Sequence, residues 1–471
     1  MLVALAIVEA AVLAVAVWAM RVLSTPAAGE PHSAGALATA ATLSLCCIAA
    51  FYYTDLYDRH AATDLRAFPW RLTRATGVAF MLLSALFTFV PQMRLPTGVM
   101  VPSLTIAALL LLTRLLGCGV IRSPWLRHRV MIVGSGPLAT TLFEEIEAQP
   151  HLRYDVFLVT HAVVAGGEHR LAGPPERLAE LIEEIRPSRI IVTPEERRGR
   201  LAVRQLLESR ARGILVEDGL DAYERLTGKL AIESLQPSAL LFSPGFRRAR
   251  SHRFVARLMS LSVATVGLVF VGPLMALIAV AIALDSRGGI FFVQERVGLH
   301  NRAFRLIKFR TMLPARDTTL WVRDNTHRIT RVGKWLRKFR LDELPQFINI
   351  LRGDMNLVGP RPHPLSNYAL FTDRIPYYSL RSVVRPGVTG WAQVRYGYAN
   401  DLYEETEKMR YDLYYVKHMS IWFDLRVLFD TVKVVCVGLG ASAVAQERAG
   451  DTPLEELEAP ARATTRARDA A

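Results

Sequence analysis

Apolar residues in this chain fall into long runs near the N-terminus, short runs in the middle, and one more long run before a polar C-terminal third. Residues 2–20 are apolar apart from Glu9, without the basic start or cleavage site of a signal peptide, and predict a retained helix. Runs at roughly 36–53, 76–93 and 99–121 each approach the ~20 residues that a spanning helix needs. Pro91 and Pro102 fall near run ends, where proline is tolerated. The loop 21–35 carries only Arg21, whereas 54–75 carries Arg59, Arg66, Arg71 and Arg74, and Arg122, Arg127 and Arg129 follow the fourth run. The positive-inside rule therefore places the second loop, the N-terminus and everything after 121 in the cytoplasm. If the weakest run, 76–93, does not span, its neighbours flip.

From residue 129 the pattern changes to apolar bursts alternating with helical periodicity. Strands are expected at 129–133, 156–160, 189–193 and 213–217, with helices at 138–148, 176–186 and 200–212, which implies a parallel α/β sheet. The first turn reads Gly134-x-Gly136-x-x-Ala139, close to a dinucleotide fingerprint. The second strand ends Val159-Thr160-His161, without the carboxylate that would hold a ribose, so tight helix–strand packing explains the glycines equally well. A long run at 254–284 is interrupted by Gly272-Pro273 and has arginines on both sides. Symmetric basic flanks fit a helix that enters the membrane, bends at Pro273 and leaves by the same face; a kinked span is the alternative. A further amphipathic helix at 420–437, with Trp422 and Phe423 on its apolar side, suits the membrane interface.

Composition adds a charge argument. The chain is 51% hydrophobic yet carries a net charge of +14, which fits a membrane protein with basic cytoplasmic surfaces that meet anionic lipids and phosphates. No zinc-finger spacing or RNP-like motif points to nucleic acid. Cys46, Cys47, Cys118 and Cys436 lie in apolar segments without ligand spacing and read as small hydrophobes. The 471 residues allow several domains: a four-helix transmembrane region at 1–125, a Rossmann-like α/β domain at 126–245, a mainly α catalytic domain with a re-entrant membrane helix at 246–440, and a disordered tail at 441–471.

The densest chemistry lies at 340–362. Asp342 and Glu343 open an apolar helix, followed by Arg352, Asp354 and a rigid Gly359-Pro360-Arg361-Pro362 turn. Upstream, Lys308 and Arg310 lie on one face of an extended stretch, an arrangement suited to a diphosphate or to a solvated edge strand. Arg337 precedes Asp342 by a little over a helical turn. Taken alone, Asp342 could instead be a helix N-cap ahead of Pro345. Asp412 could pair structurally with a basic residue, and His363 has no identifiable partner.

Six segments in order carry a resemblance: Lys308-Phe309-Arg310-Thr311-Met312, Leu341-Asp342-Glu343-Leu344-Pro345-Gln346, Gly353-Asp354-Met355, Val358 through Pro362, Arg385 through Trp391, and Asp412 through Val416. Over roughly 250–440 the chain resembles the bacterial sugar transferases, polyprenyl-phosphate hexose-1-phosphate transferases that start exopolysaccharide and O-antigen repeat units. The N-terminal part more weakly resembles the family's long form. The resemblance implies transfer of a hexose-1-phosphate from a UDP-sugar to undecaprenyl phosphate, with UMP released. It implies Asp342 as nucleophile forming a covalent phospho-sugar, and Glu343 beside it on the metal side. Mg2+ would be held at Asp342 and Glu343, with Arg337 and Arg361, and less directly Lys308 and Arg310, holding phosphate. It also implies Pro273 as the break of a re-entrant anchor, a bacterial inner-membrane location with the catalytic domain cytoplasmic, and membrane lipid, a second copy or other polysaccharide-assembly proteins as partners. A membrane-tethered nucleotide-sugar oxidoreductase or dehydratase is the competing enzyme; it needs Tyr-x-x-x-Lys, and Tyr223 is followed by Thr227 instead. A non-catalytic scaffold is the third reading.

Overall fold

The computed structural model describes residues 42, 45–54, 68–90, 128–134, 136–149, 154–160, 171–173, 177–193, 203–235, 237, 240, 244–246, 250–313, 328–396 and 402–437. The apolar runs at 2–20 and 99–121 and the tail at 441–471 lie outside them. Within the N-terminal region residues 45–53 are helical, and α1 (Phe68–Phe89) covers most of the third run.

The chain divides into two compact units, Met1–Glu217 and Asp218–Ala471. The first holds a sheet of order β3-β2-β1-β4-β5, built from β1 (His128–Val133), β2 (Tyr154–Val159), β3 (Leu171–Gly173), β4 (Arg189–Val192) and β5 (Leu215–Asp218). β1 pairs in parallel with both β2 and β4, in the register Val130 to Val156 and Val130 to Arg189. Val130 to Val133 are all buried, as expected of a central parallel strand covered on both faces. Helices α2 (Pro137–Glu147), α3 (Leu178–Ile185) and α4 (Val203–Ala211) follow strands, as the alternating pattern predicts. Gly134 has φ +156°, and a Cβ there would lie 1.9 Å from Thr193 Oγ1. Close approach to β4 therefore accounts for this glycine without a nucleotide.

The second unit begins before the long apolar helix. Asp218 caps α5 (Gly219–Thr227) by accepting from Leu220 N at 2.7 Å, and the segment after it is fastened along the C-terminal helices. Trp391 Nε1 donates to Gly228 O (2.9 Å), Lys229 pairs with Glu407 (3.0 Å), Arg410 with Glu233 (2.7 Å), and Glu224 holds both Lys417 and His418. Tyr223 is buried within this unit.

α6 (Arg250–Asp285) is 36 residues long and contains Pro273; its most apolar window has mean hydropathy 2.6, and only 11% of that window is buried in the protein. It is the one helix among the described residues long and apolar enough to cross a membrane. Both halves touch the same unit. Arg257 donates to Met355 O and Ile350 O (3.0 and 2.8 Å), and Ser260 Oγ accepts from Leu357 N (3.0 Å). At the other end Ile278 and Ile282 pack with Phe309 and Leu336, and Asp285 accepts from Val332 N (3.1 Å). An antiparallel hairpin, β6 (Phe291–Val297) and β7 (Ala303–Phe309), follows, then α7 (Arg331–Lys338), α8 (Gln346–Arg352), a parallel pair β8 (Asn356–Val358) and β9 (Gly387–Thr389), α9 (Leu365–Arg374), α10 (Trp391–Arg395), α11 (Leu402–His418) and α12 (Ile421–Val437). On α12 the adjacent rings part company. Phe423 packs against Trp391, Tyr414 and Tyr415, whereas Trp422 is 82% exposed. Successive helix positions are about 100° apart, and here Phe423 faces the core while Trp422 faces outward.

Candidate active site

Asp342 and Glu343 lie in a single 3-10 turn, Leu341–Glu343, between α7 and α8, and both are buried. The turn is entered through Arg340, which adopts a left-handed conformation at φ 57°. A non-glycine residue held there stores about 1–3 kcal/mol. The N-cap position of α8 is Pro345, with no side-chain cap bond, and Asp342 Oδ1 is buried with no hydrogen-bond partner. Asp342 is therefore not a helix cap. A buried unpaired carboxylate oxygen is costly to a fold and calls for a ligand.

The neighbouring carboxylate is fully engaged. Arg361 donates to Glu343 through both terminal nitrogens (2.8 and 3.3 Å), Arg340 reaches Oε1 at 3.3 Å, and Gln346 Nε2 reaches Oε2 at 3.3 Å. Burial opposes ionisation of Glu343, but Arg361, Lys308 and Arg340 outweigh it and hold the carboxyl far below its usual range. Asp342 shifts the other way: burial and the Glu343 charge raise its pKa, against the pull of Lys308, Arg361 and Arg340. Two adjacent carboxylates thus take different roles from their surroundings, one a fixed anion among guanidiniums and one an open oxygen.

Lys308, in β7, is the third member. Burial and the Arg361 charge push its ammonium down to about 8, although Glu343 and Asp342 pull it back. Arg296, opposite Phe304 in the hairpin, is the fourth; burial and Arg361 lower it to about 10, and its Nε is buried and unpaired. Asn349 fixes the distance between helix and hairpin, donating to Arg305 O (2.7 Å) and accepting from Ile307 N (3.1 Å). It also donates to Asp354 (3.1 Å), which gives Asp354 a local structural bond.

Arg361 is mounted with care. The backbone of its turn bonds Gly359 N to Thr389 O (2.9 Å) and Gly387 N to Pro360 O (3.0 Å), and a Cβ on Gly359 would meet Arg385 O at 2.5 Å. The carbonyls of Arg361 and Pro362 each accept from a guanidinium, Arg381 Nη2 at 2.9 Å and Arg296 Nη1 at 2.8 Å. Arg381 in turn pairs with Asp412 (2.6 Å) and Glu405 (3.2 Å) and lies over the Tyr378 ring. His363, which the sequence left without a partner, meets Glu405 (3.1 Å) and Lys408 (3.3 Å); burial, Arg381 and Lys408 push it down to about 3, so it is neutral. Asp412 does pair with a buried cation.

Two of the six candidate site residues make no polar contact with Asp342 or Glu343 among the described residues. Arg310 donates to Arg287 O (2.8 Å), Ser286 O (2.7 Å) and Ser286 Oγ (3.0 Å), fastening the connection from α6 to β6. Arg337 is exposed on α7. Sequence reasoning passed over Arg340, Arg296 and Gln346. Arg340 and Gln346 lie three residues either side of Glu343 and were legible by spacing, whereas nothing local marks Arg296.

A sequence profile described as bacterial sugar transferase matches residues 251–438, the whole of this site included. A UDP-N-acetylgalactosamine-undecaprenyl-phosphate N-acetylgalactosaminephosphotransferase of Aeromonas hydrophila is 42% identical over 223 residues, 46% of this chain and 51% of its own length. A UDP-glucose:undecaprenyl-phosphate glucose-1-phosphate transferase of Escherichia coli is 31% identical over 332 residues, 67% of this chain and 70% of its own. An undecaprenyl-phosphate galactose phosphotransferase of Salmonella typhimurium is 36% identical over 203 residues, 40% of this chain and 41% of its own. The chain thus spans about half of the first relative and more than two thirds of the second. With matching residues running through α6, the Asp342–Glu343 turn and the Arg361 mount, the chain belongs to the bacterial sugar transferase family.

Proposed function

We propose that the protein transfers a hexose-1-phosphate from a UDP-sugar to undecaprenyl phosphate and releases UMP, the first step of exopolysaccharide or O-antigen repeat-unit assembly. The observation that carries the mechanism is the unpaired buried oxygen of Asp342 beside Lys308 and Arg361. Asp342 attacks the phosphorus that bears the sugar; a P–O bond to the carboxylate forms and the diphosphate P–O bond breaks, so the electron pair leaves with UMP. An oxygen of undecaprenyl phosphate then attacks the same phosphorus and displaces Asp342. Arg361 and Lys308 stabilise the charge that gathers on the phosphoryl oxygens. Glu343 holds Arg361 and Arg340 in place; Arg337 reaches phosphate from the rim, and Arg310 acts through the α6–β6 connection.

Among the described residues no group of three or more His, Cys, Asp or Glu side chains could hold a metal by itself. Asp342 Oδ1 still suits Mg2+, which commonly takes one or two carboxylates and fills its shell with substrate phosphate and water. Mg2+ would be held at Asp342 together with substrate phosphate, next to a Glu343 whose oxygens are taken by Arg361, Arg340 and Gln346, and would neutralise charge on the substrate.

We place the catalytic unit at the cytoplasmic face of a bacterial inner membrane, with four N-terminal spans, and α6 as a re-entrant anchor bent at Pro273. From Arg257 to Asp285 is 28 residues, about 42 Å of helix. A helix crossing a ~30 Å core could not contact one cytoplasmic unit at both ends. The middle sheet serves as a Rossmann-like scaffold. The test is UMP release from membranes given undecaprenyl phosphate, Mg2+ and UDP-glucose, UDP-galactose or UDP-N-acetylgalactosamine in turn. Glucose or galactose is the expected donor. UMP release that survives Asp342→Ala refutes the covalent mechanism.

A further inference from the structure

The short helix α7 has two faces of different chemistry. Val332, Gly333 and Leu336 turn inward; Val332 and Leu336 belong to the cluster with Ile278 and Ile282 near the C-terminal end of α6, and Asp285 of α6 accepts from Val332 N. The opposite stripe is Arg331, Lys334, Trp335 and Lys338, spaced i, i+3, i+4, i+7, and all four are exposed. Arg337 lies off this stripe by helical spacing, so the stripe is separate from the rim residue assigned to substrate phosphate.

Three features of the stripe are unusual for a solvated face. Trp335 is 64% exposed and stacks on Phe339 with centroids 6.1 Å apart, while Lys338 lies over both rings at 5.6 and 5.5 Å. The helix carries no acidic residue, and among the described residues none of Arg331, Lys334 and Lys338 forms an ion pair. The helix is also fastened to an apolar helix whose Leu277, Val280 and Leu284 are exposed over the same stretch. An ammonium over an exposed tryptophan, beside a lipid-seeking helix, matches the aromatic and cationic belt of a membrane interface.

We propose that the Arg331–Lys334–Trp335–Lys338 stripe docks on anionic phospholipid headgroups of the bilayer surface and so holds the Asp342 turn, which follows α7 directly, at headgroup depth. The occupant is the bulk lipid surface and not the polyprenyl phosphate substrate. Charge complementarity argues for it: three clustered cations, without counter-ions among the described residues, gain roughly 100-fold in occupancy at an anionic surface, on the usual gain per Lys or Arg. A zwitterionic surface offers no such gain.

The test uses the full chain in nanodiscs of phosphatidylcholine alone or with about one third phosphatidylglycerol, read by hydrogen exchange. The expected result is about tenfold slower exchange across 331–338 in the anionic discs, with β7 unchanged. Arg331→Gln/Lys334→Gln/Lys338→Gln and high salt both return it to the neutral-disc rate, and inorganic phosphate added to neutral discs does not reproduce it. Equal exchange in the two lipids, or protection that the triple variant keeps, overturns the proposal; so does protection produced by phosphate alone. UMP release by the triple variant in detergent stays at the wild-type level and shows that its fold is intact. Loss of transferase activity in every lipid would count against the proposed reaction and leave the exchange result to decide the docking.

Discussion

Lys308 offers a sharp test of the electrostatics. Its ammonium is pushed down to about 8, from 10.5, by burial and by Arg361. The parameter kcat/KM for the UDP-sugar reports the free enzyme and the first half-reaction. At pH 9 only about one free enzyme molecule in ten keeps the Lys308 proton, so kcat/KM should fall about tenfold from its plateau. Lys308→Arg stays charged at every accessible pH and should lose this alkaline limb. Lys308→Met should be slow and flat. The same shift bears on stability. The unfolded chain binds the proton up to pH 10.5 and the folded chain only up to about 8, so stability rises with pH across that window. The drop from 10.5 to about 8 corresponds to about 3 kcal/mol set against the fold below pH 8. Lys308→Met should therefore raise the thermal midpoint at pH 7 while removing activity, and its advantage should fade between pH 8 and 10.5. A profile flat between about pH 7 and 9, or an alkaline limb retained in Lys308→Arg, refutes the reasoning.

Three other outcomes are expected. Glu343→Gln removes the anion that Arg361 and Arg340 share, and should cost at least about 100-fold in UMP release with a raised KM for the UDP-sugar, measured by steady-state kinetics. Arg381→Met leaves Asp412 buried without its guanidinium and Glu405 with Lys408 as its remaining cation, and should destabilise the C-terminal unit by about 3–5 kcal/mol, read as a lowered thermal midpoint. Gly134→Ala forces a Cβ against Thr193 at a positive φ and should destabilise the sheet by about 2 kcal/mol or more, seen as earlier proteolysis within 128–217.

The parts of the fold that were legible are those with local causes. The strands of the parallel sheet announce themselves as Val and Ile runs because both their faces are covered, and α6 does so through sheer apolar length. The Asp342–Glu343 pair stood out because charge, Gly and Pro crowd one stretch. What escaped depends on pairing across distance. Arg296 reaches the Arg361 turn from the hairpin, 66 positions away from Pro362, and His363 finds its partners on α11. Arg337 shows what spacing leaves open: α7 ends at Lys338 and Arg340 redirects the chain in the left-handed region, so helical periodicity does not carry from Arg337 to Asp342.

The fastening of α5 and the segment after it has a practical corollary for anyone trimming this chain. The family match starts at residue 251, yet a cut there would strip the acceptor from Trp391 Nε1, the lysine from Glu407, and the shared carboxylate from Lys417 and His418. The indole nitrogen would then face its pocket without an acceptor, at about 1–3 kcal/mol, and Glu407 would be left with Arg410. A catalytic fragment that begins at Asp218 keeps its own seal; one that begins at residue 251 starts with its flank open.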